Sequence, residues 1–245
     1  MSDNLEPLLK RFRQHDRRAL AEILSLVELG QSPPLPATSK PPPRVIGITG
    51  SGGAGKSTLV GSLIAHLRRL ESTVAVLACD PQSPLTGGAL LGDRIRVQFD
   101  PSDSDVYFRS FSTRGAHGGI SRAVENAIPW LGAFGFDVIL VETVGVGQDQ
   151  LAVREHVDTL LLLVTPNTGD EVQWEKAGVI EVADLVAVNK SDLPGADRVR
   201  QQLRSALTLV PGAPEIPILG TTATTGQGVP ELWEAIVQRR KTPDK

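Results

Sequence analysis

Residues 50–58 read Gly50-Ser51-Gly52-Gly53-Ala54-Gly55-Lys56-Ser57-Thr58. The spacing is G-x-x-x-x-G-K-[ST], the pattern of a loop that cradles polyphosphate. Polyphosphate needs several donors converging on it, so backbone N–H groups must point inward. Glycines permit the backbone angles and the close approach this takes. A helix opening near Lys56 adds its positive end. Lys56 can reach the outer phosphates, and Ser57 can offer a hydroxyl to Mg²⁺. An apolar run at 45–49 precedes the loop and another at 59–64 follows it. A glycine-rich turn that binds nothing would need neither the Lys-Ser pair nor the flanking strand and helix.

The second chemical element is Asn189-Lys190-Ser191-Asp192, in the N-K-x-D form with which GTPases read guanine. A carboxylate at Asp192 can accept from both N1–H and the exocyclic amine of guanine. Adenine lacks that donor pair and would leave polar groups unpaired. Thr222-Ala223-Thr224 lies where GTPases place a loop whose backbone N–H meets the guanine oxygen. Glu142-Thr143-Val144-Gly145 stands where a D-x-x-G element would be, with Glu in place of the usual Asp. A carboxylate ending a buried strand suits Mg²⁺, directly or through water, and the Gly145 N–H could sense a γ-phosphate. Asp80 and Asp93 are further metal or water-positioning candidates; each in isolation also reads as a strand-end cap or a loop turn. Gln148 could orient attacking water or lie on the surface near a helix start.

These segments are far apart in the chain, so a fold must gather them. Strand-like apolar runs recur at 73–80, 106–111, 136–142, 159–164, 185–190 and 216–219, and helical stretches at 120–130, 172–182, 196–209 and 230–238. The alternation predicts an α/β fold of the P-loop NTPase kind: a mostly parallel sheet with helices on both faces. Ligands in such sheets sit at the carboxyl ends of the strands. Asp80, Glu142, Asn189 and the loop after Leu219 are therefore expected to converge on the loop at Lys56. The Pro-, Ser- and Gly-rich loop at 81–94 is long enough to suggest a job beyond connection.

Before this region, Leu5, Leu8, Leu9 and Phe12, then Leu20, Ile23, Leu24 and Val27, recur at helical spacing. They predict one or two helices whose apolar face docks on the main domain or on a partner. Gly30 ends the helix, and Pro34, Pro36, Pro41, Pro42 and Pro43 make an extended linker. That linker makes the N-terminal helices look loosely attached. The expected organisation is a helical segment at 1–30, a proline-rich linker at 31–44 and a nucleotide-binding domain at 45–245.

A chain of 245 residues with 40% hydrophobic content suits one large domain with a sizeable core. The net charge of −3 and the pI near 5.8 point away from nucleic acid as a partner. Cys79 is the one cysteine, so no intrachain disulfide can form, and a thiol within an apolar strand reads as a core residue. No apolar run would span a bilayer and the N-terminus lacks a signal peptide's core, so no membrane association and a cytoplasmic location are expected. His66 and His156 fall in helical stretches, His15 in a charged segment and His117 in a glycine turn; no His/Cys cluster has metal-ligand spacing.

At these residues the chain resembles the MeaB/ArgK family of P-loop GTPases, within the class that includes nickel-insertion GTPases. The resemblance is carried by 47–57, Asp80-Pro81-Gln82-Ser83-Pro84, Thr86-Gly87-Gly88 with Leu91-Gly92-Asp93, the run 141–148, Gly169-Asp170-Glu171 and Asn189-Lys190-Ser191-Asp192. It implies a GTP-hydrolysing chaperone that gates cofactor loading, and release of damaged cofactor, for an adenosylcobalamin-dependent acyl-CoA mutase of the methylmalonyl-CoA mutase type. It implies Mg²⁺ as cofactor, with GTP as substrate and GDP as product. Residue by residue, 50–58 would hold the phosphates, with Lys56 and Ser57 on phosphate and metal. Asp80, Asp93 and Glu142 would form the acidic metal and catalytic shell beside Gly145. Asn189, Lys190, Asp192, Thr222, Ala223 and Thr224 would surround the base. The segment 167–176 resembles a switch loop that couples nucleotide state to the mutase.

Other functions stay open at this point. One is a nickel-insertion metallochaperone GTPase, against which stands the want of a His-rich tail or paired cysteines. Another is a transport-associated kinase or ATPase of the ArgK type. A third is a nucleotide-dependent binding module without turnover. Family members often continue into a C-terminal dimerisation arm. Here Lys245 follows soon after the last expected helix, so a homodimer stays open with that arm short or absent.

Overall fold

The computed structural model describes residues 5–31, 33–81, 97, 99–113, 119–143, 153–166, 179–208 and 215–239. In chain order the elements are α1 (Leu5–Arg13), α2 (Arg17–Glu28), β1 (Arg44–Gly50), α3 (Lys56–Arg69), β2 (Val74–Pro81), β3 (Val106–Thr113) and α4 (Gly119–Phe134). There follow β4 (Val138–Glu142), β5 (Thr159–Val164), α5 (Val179–Val182), β6 (Leu185–Val188), α6 (Ala196–Thr208), β7 (Ile218–Gly220) and α7 (Val229–Gln238).

The strands form one seven-stranded sheet in the order β3-β2-β4-β1-β5-β6-β7, and every pairing is parallel. A parallel sheet is covered on both faces, and its strands read as near-continuous apolar runs because alternate residues enter two different cores. In β2, Val74 and Val76 enter the core that holds Leu59, Leu63 and Leu67 of α3 and Leu232 and Ile236 of α7. The residues between and beyond them, Ala75, Leu77 and Cys79, enter the core beneath α4 and α2. A third cluster joins β5 and β6 to α6 through Leu162, Val186 and Leu203. Cys79 is thus a buried core residue, as its surroundings in the sequence imply.

The chain leaves β1 for β2 and β3 on one side, returns through β4, and then crosses to β5 on the other. The order of strands reverses at β1, so the crevice that parallel sheets offer to ligands opens at its carboxyl end. The loop at 51–55 emerges there.

The N-terminal segment is two helices, and they are not loosely attached. Asp16 caps α2, accepting from Arg18 N at 2.8 Å. Leu8, Leu9, Phe12, Leu20, Ile23 and Leu24 are buried in the same core as Trp130, Leu131 and Phe134 of α4. Phe12 meets Trp130 edge-on at 5.2 Å between ring centroids and Phe134 at 5.4 Å. Arg109 of β3 donates to Glu28 at 3.0 Å, to Ser25 Oγ at 3.1 Å and to the Ala21 carbonyl at 3.2 Å. The proline linker runs over α4: a Cβ at Gly132 would lie 2.8 Å from Pro43. Phe12→Leu, which removes the ring pairs but keeps most of the volume, is expected to cost about 1 kcal/mol of stability in urea unfolding.

Some boundaries differ from the sequence reading. Helix α4 runs on past Trp130 to Phe134, with Pro129 inside it. Its apolar stripe, Val124, Ala127, Leu131 and Phe134, continues into the core and outweighs one lost backbone hydrogen bond. His156 lies in a turn, its N–H on the Val153 carbonyl, and not in a helix. At the entry to β3, the Arg68 guanidinium of α3 lies 2.8 Å from Asp103 and holds that carboxyl below the usual carboxylate range. Among the described residues no helix is long and apolar enough to cross a membrane.

Candidate functional site

The phosphate-loop pattern occupies the turn between β1 and α3. Gly50 pairs with Leu163 of β5, and a Cβ there would stand 2.2 Å from the Leu163 carbonyl oxygen, so only glycine allows the approach. Gly55 caps α3 with φ of +92°, and a Cβ on it would meet Asn189 Nδ2 at 2.5 Å. Gly52 and Gly53 are exposed, and a Cβ on either would meet nothing within 4 Å. Protein packing therefore does not demand glycine at position 52; the space beside it suits a ligand approaching the backbone. Lys56 is buried in the first turn of α3, and its Nζ donates to the carbonyls of Gly50 at 2.8 Å and Ser51 at 3.0 Å.

Beside this loop, Ser57 Oγ donates to Glu142 Oε1 at 2.8 Å. Glu142 is the last residue of β4, adjacent to β1 in the sheet, and is buried. A hydroxyl on the P-loop helix and a carboxylate on the neighbouring strand are thereby brought into one place. Thr143 continues the rim, its N–H on the Ile48 carbonyl at 3.0 Å.

On the other side, Asn189 follows β6 and is 2% exposed. Its Nδ2 donates to the Ala54 carbonyl at 2.9 Å. Its Oδ1 accepts from Ala223 N at 3.0 Å and Thr221 Oγ1 at 3.2 Å. The amide thus spans from the phosphate loop to the loop after β7. Lys190, with φ of +56°, extends its Nζ to the Gly53 carbonyl at 3.0 Å. Ser191 N donates to the Thr221 carbonyl at 3.0 Å, and Ser191 Oγ to the Val188 carbonyl at 2.7 Å. These bonds set the turn that presents Asp192, which is exposed and available to a base. The 222–227 turn closes on itself through Thr222 N to the Gln227 carbonyl at 2.9 Å. Ser62 Oγ of α3 donates to the Ala223 carbonyl.

Lys56, Ser57, Glu142, Asn189, Lys190 and Ala223 are thus joined by hydrogen bonds at one rim of the sheet, as parallel-sheet topology leads one to expect. Asp192, Thr222 and Thr224 stand at the same rim, Thr224 exposed and Thr222 buried. Thr58 is exposed in the first turn of α3. Asp80 belongs to β2 and reaches this rim by its place in the strand, paired with Ser112. Asp93, Gly145, Gln148 and the segment 167–176 lie outside the described residues. Two residues of the network carry no sequence signal. Thr221 precedes the recognised triplet by one position, and Ser62 is the second of two serines on α3, outside the phosphate-loop pattern.

Asp192→Asn is expected to weaken GTP binding about tenfold, the loss of a charge-assisted bidentate acceptor, and to narrow the preference for GTP over ATP. Parallel titrations with the two nucleotides measure this, and an unchanged preference counts against Asp192 as the base reader.

Comparison with known proteins agrees with the geometry. The family described as Methylmalonyl Co-A mutase-associated GTPase MeaB matches residues 38–245. A Pyrococcus horikoshii protein that carries a GTPase name is 46% identical over 97% of this chain and 78% of its own length. The fused isobutyryl-CoA mutase of Cupriavidus metallidurans is 38% identical over 91% of this chain, which corresponds to 22% of that much longer protein. Among solved structures, a LAO/AO transport system kinase superposes with a TM-score of 0.72 at 26% identity, over 97% of this chain and 75% of the other. With phosphate loop, acidic strand end and guanine-type tetrapeptide meeting at one rim, and the match running through all of them, this chain belongs to the MeaB family of P-loop GTPases.

Proposed function

We propose that this GTPase is a chaperone that acts in the cytoplasm, gating cofactor loading and protection of an adenosylcobalamin-dependent acyl-CoA mutase of the methylmalonyl-CoA mutase type. The observation that carries the chemistry is the joined rim: Ser57 on Glu142, and Asn189 on both Ala54 and Ala223. The partner reading leans on the family's name and on the mutase fused to the Cupriavidus relative.

In this reading the loop at 51–55, open at Gly52 and Gly53, and the N-terminus of α3 receive the phosphates. Lys56 exchanges its loop carbonyls for outer phosphate oxygens. Asp192 accepts from guanine, and the loop Thr222-Ala223-Thr224, whose Ala223 N–H is already engaged by Asn189 Oδ1, lies beside the base oxygen. Mg²⁺ fits the donors present. It is a hard cation that takes one or two protein oxygens and keeps water and phosphate oxygens, and the Ser57 hydroxyl and Glu142 carboxylate already lie 2.8 Å apart beside the phosphate loop. Ser57 and Glu142 would hold it, with Asp80 and Asp93 as further acidic members, and it would supply charge neutralisation on the phosphates. Gly145 would sense the γ-phosphate, and Glu142, Asp80 and Asp93 would orient water.

The test is GTP turnover with and without a purified mutase of this class, with nucleotide-dependent cofactor uptake by the apo-mutase followed in parallel. Stimulated turnover and nucleotide-gated uptake are expected. Turnover indifferent to the mutase, together with uptake indifferent to nucleotide, would overturn the proposal.

A further inference from the structure

The hydrogen bonds around Asn189 close into a ring. Asn189 Nδ2 donates to the Ala54 carbonyl of the phosphate loop. Asn189 Oδ1 accepts from Ala223 N. The Ala223 carbonyl accepts from Ser62 Oγ. Ser62 lies on α3, the same helix that the phosphate loop opens, so the path returns to Ala54 through the helix itself. Ala223 is 4% exposed, in one cluster with Leu59 and Leu63 of α3, so both its peptide groups and its methyl are fixed from the phosphate side of the site. Its N–H and its C=O belong to consecutive peptide planes. Anchoring the C=O on Ser62 therefore limits the tilt of the loop that begins with Thr222.

We infer that Ser62 is a specificity-positioning residue: its hydroxyl sets the pitch of the 222–224 loop and thereby the discrimination of the six-position oxygen of a purine nucleotide. The inference rests on the guanine reading above and deepens it, since it assigns part of base selectivity to a helix residue that touches no base. Asp192 serves the other end of the same base edge. It accepts from N1–H and from the two-position amine, and its turn is built by Ser191 on Val188 and Thr221. Loss of the Ser62 hydroxyl should therefore leave recognition of the amine alone.

Three diphosphates separate these contributions. GDP and IDP share the six-position oxygen and differ in the amine. IDP and ADP differ at the six position and N1. For Ser62→Ala the preference for IDP over ADP is expected to fall about fivefold, the worth of one hydrogen bond, while the preference for GDP over IDP stays as in the wild type. Ser62→Thr, which keeps a hydroxyl, should restore the first ratio. Thermal melting of each ligand-free variant shows whether the fold is kept; a purely structural role would weaken all three nucleotides in proportion and leave both ratios fixed. An IDP-over-ADP ratio in Ser62→Ala equal to that of the wild type overturns the inference by itself. A wild type that binds GDP and ADP equally overturns the guanine reading, and this inference with it.

Discussion

Lys56→Ala is expected to lower GTP turnover by roughly two to three orders of magnitude, the scale seen when a single preorganised charge donor is taken from a transition state. Lys56 is held in a buried first turn, its ammonium between the carbonyls of Gly50 and Ser51. In a site shielded from water a fixed cation counts for far more than in bulk solvent. The variant should still fold, because the residues that seat α3 on the sheet, Leu59, Leu63 and Leu67, are untouched. Phosphate release measured beside thermal melting checks both halves. Turnover near that of the wild type would remove Lys56 from the reaction.

Asn189→Ala is expected to act on stability and on binding together. Its side chain makes three hydrogen bonds at a position 2% open to solvent. Alanine leaves the Ala54 carbonyl, the Ala223 N–H and the Thr221 hydroxyl without that partner in a region water enters poorly. Buried polar groups stranded in this way cost about 1–3 kcal/mol each, and partial relaxation makes a total of about 2–4 kcal/mol a reasonable expectation. Urea unfolding of the ligand-free chain reads that loss. GDP titration should show weaker binding as well, since the phosphate loop and the base-side loop are no longer tied. An unchanged unfolding midpoint would mean that the ring of bonds carries no weight.

The strands were legible because buried parallel strands are apolar on both sides. The run at 159–164 coincides with β5. Strand β7 begins two residues later than its apolar run, at Ile218, because Pro217 has no N–H to give the ladder. The meeting of Glu142, Asn189 and Lys56 was also legible, through the rule that places ligands at carboxyl ends. The strand order was not, since hydrophobic periodicity says which residues are buried and nothing about which strand lies beside which. The bonds that make the site rigid were equally hidden. Asn189 belongs to a motif that reads bases, yet its amide is used on Ala54, Thr221 and Ala223. Residues so far apart in the chain share no local pattern that could announce the contact. The firm seating of α1 and α2 was hidden for a related reason: a proline-rich linker resembles a tether, and only the packing of Phe12 on Trp130 and Phe134 shows otherwise.

That seating bears on how the molecule can be divided. The family match begins at residue 38, after both helices. A fragment cut at that point would uncover the faces of Trp130, Leu131 and Phe134 on α4 and of Tyr107 and Phe111 on β3, which now lie in the core with Leu20 and Ile23. It would also strand the Arg109 guanidinium after removing Glu28. Such a piece would keep every nucleotide-binding motif and yet be adhesive along one whole flank, so the minimal catalytic unit and the minimal well-behaved unit of this protein are not the same length.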